Sequence, residues 1–322
     1  MNKFIRWYNQ NRRKVWSILG IIVIIIVVIQ LINNYYKQKN NEEISNSNEV
    51  QNITLNENYN NIRVDDNNSV LSGDKMSSSQ EEQIQIIDIF VDYCNKGDVE
   101  NAYQLLTDEC KQEMYPQLDN FINSYYNETF ANSEKEVSVE NWTGNIYKVQ
   151  INENMLATGK YSKETTKQDY MTVVKADDEQ YKLNINGYIE RKEIDKTKEE
   201  NRIKMTVNYA DTYMDYEKYT IEITNNSNTT ILLDDRVNVE AMYISDENDI
   251  HYPAYTHEIN NADLQVSPRE TKEITIKYYS KYGSTKNINR LAFSRMILNY
   301  EAYEIFENKS LYNDYGIFEI EI

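Results

Sequence analysis

The sequence predicts an α+β domain followed by an all-β sandwich, both placed behind one N-terminal transmembrane helix. Three observations carry that expectation. Residues 15–32 hold no charge, apolar residues recur at helical steps between about 79 and 130, and beyond Phe130 the period falls to two in short runs rich in Val, Ile, Tyr and Thr. Composition sets the outer limits. The chain has 322 residues with 34 basic and 52 acidic side chains, a formal charge of −18, which suits two ordinary domains and argues against a nucleic-acid binder that neutralises phosphate. Two cysteines and two histidines are too few for a disulfide framework or an ordinary Cys/His zinc site.

The first 14 residues carry Lys3, Arg6, Arg12, Arg13 and Lys14 with no acid, and read as a basic cytoplasmic tail. The run VWSILGIIVIIIVVIQLI follows. As a helix it measures about 27 Å, close to the roughly 30 Å hydrocarbon core. Trp16 and the pair Tyr35 and Tyr36 stand where the two interfaces would be, so 15–36 is the predicted span. A cleaved signal peptide is the rival, but this apolar run is long and the flank NNYYKQKN offers no small-x-small cleavage site. The bilayer is then a partner, the N-terminus is cytoplasmic and the C-terminal domains are extracellular. Residues 37–79 are dominated by Asn, Ser, Glu and Asp and read as a flexible stalk, with a short strand or partner-binding segment in QNITLNENYNNIRV as the alternative.

The α+β domain is placed at 80–194. Ser79 with Glu82 three residues on forms a capping-box pattern, and Ile84, Ile87, Val91 and Cys94 make one apolar face. Gly97 is the expected stop and Asp98 the next N-cap. The second helix presents Ala102, Tyr103, Leu105 and Leu106, and a third begins after Pro116 with Leu118, Phe121, Ile122 and Tyr125 inward. KEVSVENW, NIYKVQIN, MLATGKYS, QDYMTVVKA and EQYKLNINGYIERKEI then read as strands of a curved antiparallel sheet. Such a sheet has one face against the helices.

An opening helix, then FVDYCNKGDVENAYQLLTDECK, then strands ending in YKLNINGYIE resembles the nuclear-transport-factor-like cone fold, whose extracellular Gram-positive members commonly carry a K-G-D-x-x-x-A-Y hairpin. Those positions here are Lys96, Gly97, Asp98, Ala102 and Tyr103. The resemblance implies a cone-like α+β domain. Enzymes of that family place Asp, His or Tyr inside the cone; the segment has no histidine, and no acid–base pair matches.

The charged run EIDKTKEEN fits an interdomain linker, placed at 195–202, or a sheet edge. Residues 203–322 are nearly all β, with turns at NNSNTT, DENDI and SPRE, and the strand spacing suggests an immunoglobulin-like sandwich. The phrases YTIEITNNSNTTI and P-x-E-x-K-E-I-T-I resemble immunoglobulin-like domains of secreted proteins from low-GC Gram-positive bacteria, a family likeness without a catalytic motif.

Candidate chemistry is sparse. Cys94 and Cys110 lie too far apart on a helical hairpin for a disulfide and read as buried thiols. His251 and His257 in DIHYPAYTHE, beside Asp249 and Glu258, are the candidates for a zinc or copper site, although no metal or other cofactor is expected. No HExxH, GxSxG, P-loop or dinucleotide fingerprint is present. The acidic runs lack the calcium-loop alternation. Among the 28 tyrosines, Tyr125, Tyr126, Tyr252 and Tyr255 are the candidates to line a peptide or glycan groove. The expected role is a non-catalytic, membrane-anchored binding or scaffolding protein of the Gram-positive cell envelope, with other envelope or membrane proteins as partners and no nucleic acid. The alternatives are an assembly subunit of a conjugation or type IV secretion channel, an envelope stress or antibiotic-response protein, and an extracytoplasmic enzyme using a cone cavity around Asp169, Tyr170 or Tyr188.

Overall fold

Helix α1 (Ser78–Lys96) begins one residue before its expected cap and stops at Gly97, which has φ +75°. The computed structural model describes residues 62–66, 78–153, 166–176, 179–237, 240–283 and 286–322. A Cβ at Gly97 would meet Tyr126 Oη at an ordinary 3.6 Å, so the need for glycine lies in the left-handed backbone. Gly97→Ala is expected to cost about 1 kcal/mol, read as a lower urea midpoint at unchanged slope. Asp98 then caps α2 (Val99–Gln104), its carboxylate accepting from the Asn101 N–H.

The second helix is shorter than its apolar pattern suggests. The chain leaves it at Leu105, and Thr107 caps a separate α3 (Asp108–Met114) by accepting from the Cys110 N–H at 3.0 Å. The segment between them pairs with a strand edge: Leu183 N–H donates to Leu105 O at 2.8 Å, and Thr107 N–H to Leu183 O at 3.0 Å. After Pro116, α4 (Leu118–Phe121) widens into a π-turn at Ile122–Tyr126 before α5 (Asn127–Thr129). Phe121 and Tyr125 stay on the inner side and stack with ring centres 5.8 Å apart.

These helices cover an open five-stranded sheet in the order β1 (Ile62–Asp66), β2 (Lys135–Thr143), β3 (Ile146–Glu153), β4 (Lys167–Lys175), β5 (Tyr181–Asn184). Strand β1 runs parallel to β2, with Val64 opposite Val139, so this part of the expected stalk is a sheet edge, as the alternative reading had it. The rest of 37–79 ahead of Ser78, like the strand expected at MLATGKYS, lies outside the described residues. The core between helices and sheet holds Ile87, Phe90, Leu106, Phe121, Val149 and Met171.

The long run EQYKLNINGYIERKEI breaks in two. Asn186 and Gly187 adopt φ +59° and +73°, and the chain turns out of β5 into β6 (Tyr188–Glu200). Strand β6 pairs with β7 (Ile203–Tyr213) through a turn in which Asn201 and Arg202 both have positive φ, as a two-residue hairpin of type I′ requires. The residues placed as a linker, 195–202, are therefore the end of β6 and its turn, the sheet edge of the alternative reading. They are charged because β6 is an exposed edge, where charge discourages pairing with foreign strands.

The second region has two four-stranded sheets. One runs β13 (Thr271–Tyr278), β8 (Glu217–Asn225), β7, β6; the other runs β11 (His251–Pro253), β10 (Met242–Asp246), β14 (Ile288–Met296), β15 (Gly316–Glu321). Short strands β9 (Ile231–Leu232) and β12 (Gln265–Val266) form a separate pair, and helix α6 (Tyr300–Glu304) lies between β14 and β15. Both larger sheets contribute to one core, with Met205, Ile221 and Ile276 from the first and Ile244, Phe293 and Ile320 from the second. One side is stitched by backbone bonds, Tyr255 N–H to Lys277 O at 2.8 Å and Tyr279 N–H to Pro253 O at 2.9 Å. On the other side the edges β6 and β15 share no ladder. The expected turns form: Arg269 in SPRE has φ +67°, and Asp246 accepts from the N–H groups of Asn248 and Ile250, each at 3.0 Å.

Contacts divide the chain into residues 1–56, which lie outside the described residues, and 57–322, a compact unit of its own. Within that unit β6 and β7 serve both cores: Tyr188 of β6 and Tyr213 of β7 sit in the first, while Ile203, Met205 and Val207 of β7 sit in the second with Ile194 of β6 packed against it.

The expected fold class needs correction. The unit is mixed α+β with several sheets, none closed into a barrel, and the cone-like description gives way to helices over an open sheet. Among the described residues no helix is long and apolar enough to cross a membrane. The segment 15–36, on which the transmembrane helix rested, lies outside them. The single-pass topology, the lipid bilayer as partner, the cytoplasmic N-terminus with extracellular domains, and the membrane-anchored envelope role built on them are withdrawn on that finding.

Candidate functional site

The β6–β7 ladder sets Arg191 directly opposite Asp211. The guanidinium grips the carboxylate with two bonds, Nε to Oδ1 and Nη2 to Oδ2, both 2.9 Å, while the side chains are only 7% and 2% exposed. Tyr188 Oη donates to the same carboxylate at 2.9 Å, and Arg191 Nη1 reaches Gln112 Oε1 in α3 at 2.8 Å. Beside it Glu113 accepts from Tyr213 Oη at 2.6 Å and from Lys218 Nζ. Burial pulls the Arg191 pKa down, but the bonds and charge of Asp211 more than offset it and the net shift is upward. This network ties α3 to β6, β7 and β8.

Two hollows open on either side of it. Alternation along β6 explains their linings: Lys192 and Ile194 face the larger one, about 360 Å³, while Ile189 and Arg191 face the smaller, about 290 Å³. Glu190 and Tyr282 belong to both. Thr212 and Ala210, the β7 partners of Glu190 and Lys192, line the larger cleft, as residues on one sheet face must.

The floor of the larger cleft is electrically satisfied. Glu217, only 7% exposed, accepts from Tyr219 Oη at 2.9 Å and Ser280 Oγ at 2.5 Å, and stands 3.3 Å from Lys286 Nζ. Lys286 also donates to Lys281 O at 2.8 Å and to Ser280 Oγ. Ser280 is fully buried and does not line the cleft, so its hydroxyl is spent on this network. In the smaller cleft Thr107 Oγ1 donates to Asn184 Oδ1 and Asn184 Nδ2 to Ile189 O, which leaves those walls paired as well.

The tyrosines proposed from sequence do not converge. Tyr125 is fully buried in the first core, with Oη 2.8 Å from Asp169 Oδ2, and is unavailable to a groove. Tyr126 is half-buried and stacks on Phe130. Tyr255 stacks on Tyr279 with Lys277 over its ring at 4.4 Å. Tyr252 comes nearest to the clefts: Lys286 lies over its ring at 5.0 Å, and its Oη donates to Asp246 Oδ2 at 3.1 Å. His251 stacks on Tyr243 at 3.8 Å with Asp249 3.6 Å away, and His257 stands 3.8 Å from Glu258. Among the described residues no group of three or more His, Cys, Asp or Glu is placed to hold a metal. Cys94 and Cys110 are free and buried, and burial pushes Cys110 up to about 12 and Cys94 higher still.

Asp169 is buried, but all its bonds are internal. Besides Tyr125 it accepts from the N–H groups of Tyr170 (2.6 Å), Asn186 (3.1 Å) and Gly187 (3.1 Å), and neither cleft reaches it or Tyr188. It is a clamp on the Asn186–Gly187 turn. Glu190, Lys192, Arg191, Asp211 and Tyr282 stand in no motif of the sequence that marks a site. The available signal was Asp211, a charge sharing parity with the apolar Tyr213, and the alternation Glu190, Lys192, Ile194 at the end of a run read as one strand.

No protein-family model matches the chain, and no curated protein matches it. A solved structure described as a conserved hypothetical protein from Bacillus anthracis is 11% identical, covering 32% of this chain and 88% of its own, with a TM-score of 0.24. So slight an overlap assigns neither fold nor function. The nuclear-transport-factor-like and immunoglobulin-like resemblances therefore gain no support from known proteins, and the chain is described by its own architecture: helices over a five-stranded sheet, joined through β6 and β7 to two four-stranded sheets.

Proposed function

We propose that this protein is a non-catalytic binding protein that takes a small polar ligand into the paired clefts around Glu190 and Tyr282. The observation behind this reading is the pair of adjoining hollows, about 360 and 290 Å³, that share these two residues. The larger falls within the size range of ligand sites. Their deep charges, Glu217 with Lys286 and Arg191 with Asp211, already neutralise one another. Such pairs shape a site without supplying a free nucleophile or base. Among the described lining hydroxyls, that of Thr107 is spent on Asn184 Oδ1 and that of Tyr219 on Glu217.

The test is a thermal-shift screen of polar metabolites on the full-length chain, repeated with Glu190→Gln and Tyr282→Ala. Ligands that stabilise the parent are expected to lose about tenfold or more in affinity in either variant, the scale of one hydrogen bond to a charged group. Shifts retained in both variants would place binding elsewhere and overturn the assignment. Turnover of a bound compound that survives purification to homogeneity would overturn the non-catalytic part.

A further inference from the structure

We infer that the larger cleft recognises a zwitterion of dipeptide length whose C-terminal residue is apolar; this rests on the reading of the cleft as a ligand site. Among the described residues lining it, Glu190 and Lys192 are exposed charges that make no ion pair or hydrogen bond, in contrast to the sealed pair Glu217–Lys286 at its floor. The register opposite β7 is regular from Glu190 to Glu193, so Glu190 and Lys192 share a face. Two residues along a strand span about 7 Å. An extended dipeptide covers the same distance, about 7 Å.

The α-ammonium group therefore sits at Glu190 and the carboxylate at Lys192. Ile194 continues the same face, and Ile288 and Ile322 complete an apolar wall beside it. An apolar side chain on the second residue of the ligand projects onto this wall, whereas one on the first residue points back toward Thr143 and Tyr282. The order of charge, opposite charge and apolar contact along β6 thus reads a direction in the ligand. Burial raises the pKa of Tyr282 and the charge of Glu190 raises it further, in keeping with a carboxylate held close to that ring at the mouth.

Calorimetric titration of the full-length chain with glycyl-leucine, leucyl-glycine, N-acetyl-glycyl-leucine and glycyl-leucinamide tests this. Glycyl-leucine is expected to bind at least tenfold more tightly than each of the other three. Glu190→Gln should abolish the penalty for acetylation alone, and Lys192→Met the penalty for amidation alone. Equal affinity for free and capped forms, loss of both penalties in one variant, or no heat from any dipeptide at 10-fold excess over about 1 mM, a weak-binding limit, overturns the inference. If dipeptides fail while other ligands from the metabolite screen still require Glu190 and Tyr282, the ligand class falls and the site stands. If those ligands ignore both variants, the site itself falls.

Discussion

Replacing Arg191 with methionine is expected to lower the unfolding free energy by about 3–5 kcal/mol, because it strands a buried carboxylate. Asp211 is 2% exposed and holds both guanidinium bonds at 2.9 Å; without Arg191 the donor left to it among these contacts is Tyr188 Oη. The variant also releases Gln112 of α3 and uncovers the ring of Tyr209, over which the guanidinium lies at 3.9 Å. The ion pair itself need not be strongly stabilising, since desolvating two charges offsets much of their attraction. The double substitution Arg191→Met with Asp211→Leu is accordingly expected to recover most of the loss. Urea unfolding followed by tryptophan fluorescence and by far-UV circular dichroism checks both. A single-variant loss under about 1 kcal/mol would mean that water reaches the carboxylate and that the pair behaves as a surface ion pair.

Asp169→Asn should cost about 3 kcal/mol, the scale of one or two lost hydrogen bonds to a charged group. The carboxylate accepts from one hydroxyl and three backbone N–H groups, and an amide presents an NH₂ to some of these donors. Asn186, which the clamp holds at φ +59°, would lose its local restraint. The pH dependence gives an independent signature. Burial raises the folded-state pKa of Asp169 despite the hydrogen bonds that oppose it. Its unfolded value is about 3.9, so between that and the higher folded value the folded chain holds more protons than the unfolded one. Stability from this group is therefore full below about pH 4 and declines as pH rises through the folded pKa. The gap between parent and variant should be widest near pH 4 and narrower at pH 7, as measured by urea unfolding across that range. A gap that widens with pH would show that the folded carboxylate prefers its charged form.

Local signals read well where the deciding interaction lies within a few residues. Gly97 stops α1 and Asp98 caps α2 because a left-handed residue and a short acceptor are needed at those points whatever packs around them. Ile84, Ile87, Val91 and Cys94 are buried together for the same reason, a helical repeat that needs no knowledge of its partner. The turns at DENDI and SPRE follow from Asp246 and Ser267 bonding to their own neighbours. Misreadings arose where a distant segment decides. Thr107 breaks a helix because Leu183, a distant residue in sequence, donates its N–H to Leu105 O and accepts at its carbonyl from Thr107 N–H, and 196–200 extend a strand because β7 pairs with them.

The tyrosines show the same division. Their abundance was visible, but Tyr125 went to the core and Tyr255 onto Tyr279, outcomes set by which rings meet in space. The succession of amphipathic helices and alternating strands follows from the residues alone, since periodicity and capping act over three to five residues. Packing in three dimensions places Glu190 between two clefts, spends Arg191 on Asp211 and leaves Lys192 unpaired. Those outcomes depend on strand register, and a shift of one residue turns every side chain of β6 to the opposite face.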